Sequence, residues 1–231
     1  RSERGGFLLG IHGAAAQKCT HARDELAHAE RLGEVIIASD FEADDLIELG
    51  VSGRKEQNGG VRLAAQAAAK LINADDFVFI DAGSTTLELV RALAGDALKA
   101  SYVTNGVAHA RLLAQKGCRV FLPGGLLRPQ TEAIIGAAAL TAIQQYNFTK
   151  AFMGANGVAL GSGFTTPDPE EAAVKAAALH RAREAWFLVD DTKFAQVYPA
   201  VICDLHSGAI LTNRCPNPKY RQYTLIKETE V

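Results

Sequence analysis

The chain has 231 residues, of which 48% are hydrophobic and 22% charged, and its formal net charge is −2. This composition provides enough apolar side chains for a folded core and excludes both a globally disordered chain and a strongly basic nucleic-acid binder. No apolar run reaches the roughly 18 residues of a membrane-spanning helix, and the scattered cysteines form no CxxC pair. We therefore expect a cytoplasmic protein without a metal or cofactor.

The first 60 residues differ in composition from the rest of the chain. They contain seven Lys or Arg residues and eleven Asp or Glu residues, and the pair Gly59-Gly60 ends this acidic stretch. In this part of the chain the pattern indicates only two short helices, at 26–32 and 43–49, and a strand at 35–38. The change in composition predicts a domain boundary, with an irregular part at 1–60 and a regular domain at 61–231.

Short apolar strands alternate with longer helices from residue 61 onward. The predicted strands lie at 77–80, 101–104, 119–122, 150–153, 185–189 and 208–211. The predicted helices lie at 62–72, 85–93, 107–115, 137–146 and 170–184. Strands that alternate with helices in this way form parallel sheets through crossover connections. The expected fold is therefore α/β, with a mostly parallel open sheet and helices on both faces.

The loop after the first predicted strand has the composition of a phosphate site. It reads Asp81-Ala-Gly-Ser-Thr-Thr86 and leads into a helix, and ligands of open parallel sheets bind beyond the carboxyl ends of the strands. Gly83 allows close backbone approach, while the hydroxyl groups and the free N–H groups of a helix start attract anions. An ordinary capped helix N-terminus has the same composition, so both interpretations stay open.

The later strands end in similar polar loops. These loops are Thr104-Asn105-Gly106, Pro123-Gly-Gly125 followed by Arg128, Gly154-Ala-Asn-Gly157, and Asp190-Asp-Thr-Lys193. The predicted helix at 170–184 carries Glu170, Glu171 and Lys175 on the chain between the last two of these loops. Because the loops recur at the same ends of successive strands, they predict one small, polar crevice that suits a phosphorylated metabolite.

Several common catalytic signatures are missing from the sequence. There is no GxGxxG after a strand, no GxxxxGK[ST] and no GxSxG, so a dinucleotide, a nucleoside triphosphate and a serine hydrolase are not expected. His109 and His180 lack the spacing of a triad or metal pair and are expected to be structural or solvated. Asp190 and Asp191 point in opposite directions on an extended segment, which favours a strand-end cap or a partner for Lys193 over acid–base catalysis.

Six ordered motifs resemble the C-terminal effector-sensing domain of the DeoR family of bacterial transcription regulators. They are IDAGSTT (80–86), VTNG (103–106), LPGGLLRP (122–129), NFTKAFMGANGV (147–158), GFTTPDPEEAAVKAA (163–177) and LVDDTKF (188–194). The later stretch AILTN (209–213) fits as well. Within the family, the chain most resembles regulators of fructose and related sugar-phosphotransferase operons.

This resemblance implies a ligand, a set of partners and a set of ligand-binding residues. The fold would be that of ribose-5-phosphate isomerases, glucosamine-6-phosphate deaminases and CoA transferases. A homo-oligomer would bind operator DNA through an N-terminal winged helix-turn-helix, and a phosphorylated sugar or related metabolite would alter its DNA affinity. Carried onto this chain, the ligand-binding residues are Asp81, Gly83, Ser84, Thr85, Thr86, Thr104, Asn105, Gly124, Gly125, Arg128, Asn156, Glu171, Lys175 and Lys193.

One departure from the related enzymes concerns catalysis. The isomerases carry acidic residues where this chain reads Gly154-Ala-Asn-Gly157, and neither an amide nor a glycine can accept a substrate proton. We therefore expect a sensor and not an enzyme. Glu171 is still a candidate base, so an isomerase or deaminase is kept as an alternative, and a structural domain with ordinary polar turns is kept as a third.

A second departure concerns the DNA-binding part. The stretch HGAA at 12–15 resembles the family's wing, and residues 33–52 faintly resemble its first helices, but no recognition helix follows Ser52. We therefore predict that residues 1–60 are an incomplete or irregular remnant of a winged helix-turn-helix with its linker. Residues 61–231 would be the sugar-phosphate-sensing domain of a regulator, expected to repress a sugar-utilisation operon.

Overall fold

The computed structural model describes residues 58–229. Our predictions for the first 57 residues, including the wing-like and helix-like stretches, lie outside the described residues. Between residues 58 and 229, no helix has both the length and the apolar character needed to cross a bilayer. The same part of the chain holds no group of three His, Cys, Asp or Glu side chains that could bind a metal ion.

The described part of the chain contains five α-helices and twelve β-strands. The helices are α1 (Asn58–Ala69), α2 (Ser84–Ala92), α3 (Val107–Gln115), α4 (Ala137–Gln144) and α5 (Pro169–His180). The strands are β1 (Phe77–Ile80), β2 (Ser101–Thr104), β3 (Arg119–Phe121), β4 (Leu126–Arg128), β5 (Ala133–Ile135), β6 (Phe148–Gly154), β7 (Gly157–Ala159), β8 (Gly163–Thr166), β9 (Ala182–Leu188), β10 (Ala200–Cys203), β11 (Ala209–Thr212) and β12 (Ile226–Glu228).

Seven of these strands form one parallel sheet in the order β12-β11-β9-β6-β1-β2-β3. Strand β1 shows why both faces are covered, because Val78 and Ile80 belong to one buried cluster while Phe79 belongs to the other. Helices α1, α2 and α3 cover one face. Helices α4 and α5 cover the other face together with the small sheet β10-β8-β7. The expected α/β fold with a mostly parallel sheet is confirmed.

Two features of the fold differ from the sequence-based expectation. The helix predicted at 170–184 ends at His180, and Ala182 and Glu184 instead pair with Phe148 and Lys150 of the neighbouring strand β6. Pairing with a distant strand thus overrides the helical preference of this alanine-rich stretch. Strands β4, β5, β7, β8, β10 and β12 were not predicted, because each has only three or four residues and, apart from the edge strand β12, lies in a small antiparallel sheet.

The connections place the reversal of strand order beside β1. From β1 the chain adds β2 and β3 on one side, whereas β6, β9, β11 and β12 extend the sheet on the other. Ile80 at the end of β1 is level with Thr104 of β2 and Phe152 of β6. The loops that follow these three strands therefore meet at one edge of the sheet, at the switch point where such folds bind ligands.

Candidate functional site

A buried ion pair lies at the centre of this edge. Asp81, directly after β1, is 1% exposed, and its Oδ2 accepts hydrogen bonds from the ammonium of Lys175 and from the backbone N–H of Gly154 at 3.0 Å. Lys175 comes from α5 and is 7% exposed, and burial lowers its pKa to about 7. The other carboxylate oxygen, Oδ1 of Asp81, is buried and has no hydrogen-bond partner among residues 58–229. It is an acceptor that a ligand hydroxyl could satisfy.

The loop between β1 and α2 is held from inside by Thr86. Its buried hydroxyl donates to the carbonyl oxygen of Asp81 at 2.8 Å and accepts from the N–H of Gly83 at 3.0 Å. Gly83 is the N-cap of α2 and offers no capping side chain. Ser84 is exposed and Thr85 is half-buried. The first turn of α2 therefore presents two hydroxyl side chains at the surface, while the third is used to hold the loop.

A neutral histidine supports the same loop from α3. His109 is 4% exposed, and burial lowers its pKa to about 4. Its Nε2 lies 3.0 Å from the carbonyl oxygen of Gly83 and 3.2 Å from the hydroxyl of Thr86, a position suited to an N–H that donates to the carbonyl. His109 therefore positions the loop, in agreement with the structural role expected for it.

The loop after β2 is a scaffold and not an open binding surface. Oδ1 of Asn105 accepts from the N–H of Ala82 at 3.1 Å, and its Nδ2 donates to the carbonyl oxygen of Ile134 at 3.2 Å. Thr104 is fully buried, and its hydroxyl accepts from the N–H of Gly106. Both predicted ligand residues thus have their polar groups engaged within the protein. The amide of Asn105 joins the loop after β1 to strand β5.

The hairpin β4–β5 brings Arg128 to the start of α5. The Arg128 guanidinium pairs with the carboxylate of Asp168 and lies 3.6 Å from that of Glu171, which also accepts from the hydroxyl of Thr131 at 3.0 Å. Gly125, before the hairpin, has a φ of +156°, and a Cβ there would lie 2.6 Å from the carbonyl oxygen of Ile135. Gly125 is therefore required by the backbone, while its neighbour Gly124 is exposed with free space around it.

Two predicted residues lie in loops farther along the sheet. Asn156, after β6, is exposed, and its Oδ1 accepts from the hydroxyl of Thr166 at 3.0 Å. Lys193 is half-buried in a short 3₁₀ turn, Asp191–Lys193, and its ammonium forms no ion pair with any residue from 58 to 229. Asp190 caps this turn by accepting from the N–H of Thr192 at 2.9 Å, which matches the strand-end cap favoured from the sequence.

The contacts connect part of the predicted set directly. Asp81, Gly83, Thr86, Asn105 and Lys175 form one contact network at the end of β1. Arg128 and Glu171 form a second group, and Lys175 follows Glu171 on α5 by four residues, so both lie on one face of the helix. Among residues 58–229, no side-chain hydrogen bond or ion pair joins Asn156 or Lys193 to either group.

Three further groups at or near the site were not predicted from the sequence. Asp168 pairs with Arg128 and caps α5, and the sequence Asp168-Pro-Glu-Glu was a signal for this cap. The backbone N–H of Gly154 donates to Asp81. A backbone group is present in every residue, so the sequence contains no signal for this contact. Asn213 binds the turn after β9 through its amide. Its position at the end of the last predicted strand was visible, but its partner was not.

Comparisons with known proteins agree on one family. Residues 60–213 match the family model described as the DeoR C terminal sensor domain. The protein named Uncharacterized HTH-type transcriptional regulator FruR, of Bacillus subtilis (strain 168), is 33% identical over 229 residues, which cover 97% of this chain and 81% of that protein. The Lactose phosphotransferase system repressor of Staphylococcus aureus (strain NCTC 8325 / PS 47) is 28% identical over 207 residues, which cover 88% and 72%.

Solved structures give a weaker likeness. Ribose 5 phosphate isomerase A from Neisseria gonorrhoeae aligns with a TM-score of 0.44 at 17% sequence identity, covering 59% of this chain and 53% of that one. The alignment spans about half of that enzyme. A likeness at this level says nothing about the chemistry of the crevice.

Proposed function

This chain belongs to the DeoR family, whose C-terminal sensor domain it carries over residues 60–213, and we propose that its crevice binds a phosphorylated sugar or related metabolite. The expected family and the expected role in transcription regulation are confirmed by these matches. The relatives are named as an HTH-type transcriptional regulator and as a lactose phosphotransferase system repressor. The identity of the ligand and the residues that bind it are our proposal.

The open start of α2, beside the unpartnered oxygen of Asp81, is the observation that carries this proposal. Gly83 leaves the first turn of α2 without a capping side chain, and Ser84 and Thr85 add hydroxyl groups there. In contrast, α5 is closed by Asp168, whose Oδ1 accepts from the N–H groups of Glu170 and Glu171. The N–H groups at the start of α2 are therefore open to an anion, whereas those at the start of α5 are already bound by Asp168.

The sugar part of the ligand would lie next to Asp81. A Cβ placed on Gly83 would lie 3.2 Å from Oδ1 of Asp81, so this buried oxygen lies beside the backbone at the start of α2, and a donor would have to displace that loop to reach it. A sugar hydroxyl that reaches it in this way would supply the hydrogen bond that Oδ1 lacks. Phosphate at α2 and a hydroxyl at Asp81 would be held a few ångströms apart, which suits a small phosphorylated sugar.

Lys193 is the basic residue best suited to neutralise the phosphate. The other two candidates, Arg128 and Lys175, already pair with carboxylates, and an anion would have to displace those partners. Lys193 pairs with no carboxylate between residues 58 and 229. We therefore assign direct contact with the ligand to Asp81, Ser84, Thr85 and Lys193. The remaining predicted residues would shape the crevice or hold its loops.

Ligand binding would act by shifting an equilibrium between two arrangements of the protein. Operator DNA would be bound by an N-terminal domain of the complete regulator, in a homo-oligomer within the cytoplasm. A ligand that prefers one arrangement changes the DNA affinity by its difference in affinity for the two. We propose that the regulator represses a sugar-utilisation operon and that the ligand alters this repression through its effect on DNA affinity.

An isomerase or deaminase activity is disfavoured by the contacts of Glu171. This carboxylate accepts a hydrogen bond from Thr131 and lies 3.6 Å from the Arg128 guanidinium, so it is engaged as a structural partner and would have to leave these contacts to take up a substrate proton. A sensitive ketose–aldose assay tests this point. Turnover that is lost in Glu171→Gln would establish the enzyme and overturn the sensor.

Isothermal calorimetry against phosphorylated hexoses, pentoses and their bisphosphates tests the proposed ligand class. We expect at least one of them to bind more tightly than about 1 mM, a free energy of about −4 kcal/mol. The corresponding unphosphorylated sugars serve as controls and should not bind. Weaker binding by every member of the panel, with the protein folded, would contradict the proposal.

The variant Thr85→Glu tests where the phosphate lies. A carboxylate at this position would occupy the start of α2 and repel the anion, so affinity should fall by at least about tenfold. Thr141→Glu is the matched control, because Thr141 is an exposed residue on α4. Equal affinity of both variants and the wild type would exclude the loop after β1 as the phosphate site.

A further inference from the structure

One side-chain amide joins the turn after β9 to the end of β11. Asn213 follows β11 directly, and its Oδ1 accepts from the backbone N–H of Asp191 at 2.9 Å. Its Nδ2 donates to the carboxylate of Asp191 at 3.0 Å. Because both ends of the amide bond the same residue, the orientation of Asn213 depends directly on the position of that turn.

The same amide lies against the first turn of α1. A Cβ added to Gly60 would lie 2.6 Å from Cγ and 2.8 Å from Nδ2 of Asn213. The backbone of α1 thus rests on the side chain of Asn213 with no space for a side chain between them. A displacement of Asn213 must therefore displace α1 or open a gap beside it.

Asp191 belongs to the turn that carries the proposed phosphate ligand Lys193. The turn Asp191–Lys193 is only three residues long, and Asp190 caps it. A turn of this length moves as a unit, so drawing the backbone of Lys193 toward an anion also moves Asp191. At the other end of the connection, α1 begins at Asn58, immediately after the first 57 residues of the chain.

Building on the proposed function, we propose that Asn213 is a positioning residue that transmits ligand binding at Lys193 to helix α1. The contact of Asp191, Asn213 and Gly60 is named the amide bridge here. A conformational response requires that the protein differ in structure between its ligand-bound and ligand-free states. The amide bridge provides this difference, because each position of the turn holds Asn213 in one orientation. Helix α1 then carries the change toward the residues that precede it in the chain.

Hydrogen exchange of the full chain, with inorganic phosphate as the probe, tests the amide bridge. Phosphate binding should change the exchange rates of α1 amides by about fivefold or more in the wild type. In Asn213→Ala the same amides should change by less than about twofold, measured at a phosphate concentration that calorimetry shows to saturate the variant. Asn217→Ala is the matched control, because Asn217 caps the nearby turn Pro218–Gln222 through the N–H of Lys219.

Each outcome decides a separate point. An equal response of α1 in the wild type and in Asn213→Ala would overturn the amide bridge, as would phosphate binding without any response of α1 in the wild type. Either result leaves the proposed ligand site intact, whereas failure of both phosphate and the sugar phosphates to bind would overturn the ligand site and the bridge together. If Asn213→Ala does not fold, Asp191→Ala removes the acceptor of Nδ2 and should likewise suppress the response of α1.

Discussion

The charge of Asp81 depends on a single lysine from a distant part of the chain. Lys175 is 94 residues away in sequence, yet its ammonium pairs with the carboxylate of Asp81, which is 1% exposed. A buried ion pair of this kind contributes little net stability as a pair, but loss of one partner leaves the other charge unpaired. The pair therefore fixes the Asp81 carboxyl at the position where the ligand is proposed to bind.

We expect Lys175→Met to destabilise the protein by about 3–5 kcal/mol, because it leaves the carboxylate of Asp81 buried without a countercharge. Adding Asp81→Asn should recover most of this loss, since no charge is then left unpaired. Urea unfolding measures both. Lys99→Met is the control, because its pair with Asp96 is exposed to solvent and contributes little to stability. A cost for Lys175→Met as small as the control's would show that the buried pair does not form.

His109 should make the protein sensitive to mild acid. Burial lowers its pKa to about 4, below the value of about 6.5 for an unfolded histidine. Between these values only the unfolded state binds the proton, so stability falls as the pH drops from about 6.5 to 4, by up to about 3 kcal/mol. Gln in place of His109 could still donate to Gly83 but cannot titrate.

Urea unfolding at several values between about pH 7 and 4.5 compares wild type with His109→Gln. The wild type should lose about 2–3 kcal/mol more than the variant across this range. Other titrating groups also make the protein less stable in acid, and they act equally in the wild type and in His109→Gln. Asp76 is one of them: burial raises its pKa, but hydrogen bonds from Asn73 and Lys150 outweigh this effect and lower the pKa overall. Parallel curves would mean that the pKa of His109 is the same in the folded and unfolded states.

At the scale of the elements, the sequence predicts those helices and strands that are determined by a local pattern of apolar and polar residues. Strand β1 and helix α3 were predicted to the residue, because each is an apolar stretch bounded by polar or glycine residues. The hairpin β4–β5 was not predicted. Leu126 and Leu127 of β4 are 64% and 49% exposed, so no alternation of buried and exposed positions signals a strand. The hairpin is held instead by backbone contacts with Asn105, which lies 29 residues before Ile134.

The same distinction applies to the candidate site. The rule that ligands bind beyond the carboxyl ends of parallel strands was enough to select the loops, and the structure brings the loops after β1, β2 and β6 to one edge. The rule says nothing about which polar groups the protein itself uses. Thr86, Asn105 and Arg128 proved to be bonded within the protein, in two cases by residues far away in sequence.

Asn105→Ala should loosen the hairpin and destabilise the fold. It leaves the N–H of Ala82 and the carbonyl oxygen of Ile134 without their hydrogen bonds, at a cost of about 1–3 kcal/mol. Amide exchange in β5 should accelerate more than in the central strand β1. Asn217→Ala, which removes only an exposed cap, should leave β5 unchanged. If β5 exchanges equally in the two variants, Asn105 does not anchor the hairpin.

For the whole molecule, the balance of charges in the crevice determines how the proposed phosphorylated ligand would be held. Asp81 and Lys175 neutralise each other, and Arg128 lies between two carboxylates, so these groups together carry no positive charge to attract an anion. The attraction must come from the start of α2 and from Lys193. Ligand binding would then connect β1, β6 and β9, which are neighbours in the central sheet, and should stabilise the domain as one cooperative unit.

A saturating sugar phosphate should therefore raise the melting temperature. At a concentration of about 100 times Kd the folded state gains about 2.7 kcal/mol, which for a domain of this size shifts Tm by about 5–10 °C. Thermal unfolding followed by circular dichroism measures the shift. At the same ligand concentration it should fall to about half or less in Thr85→Glu and persist in Asn213→Ala, because only the former blocks the start of α2. An equal shift with the unphosphorylated sugar would mean that the hydroxyl contacts at Asp81, and not the phosphate at α2, provide the binding energy.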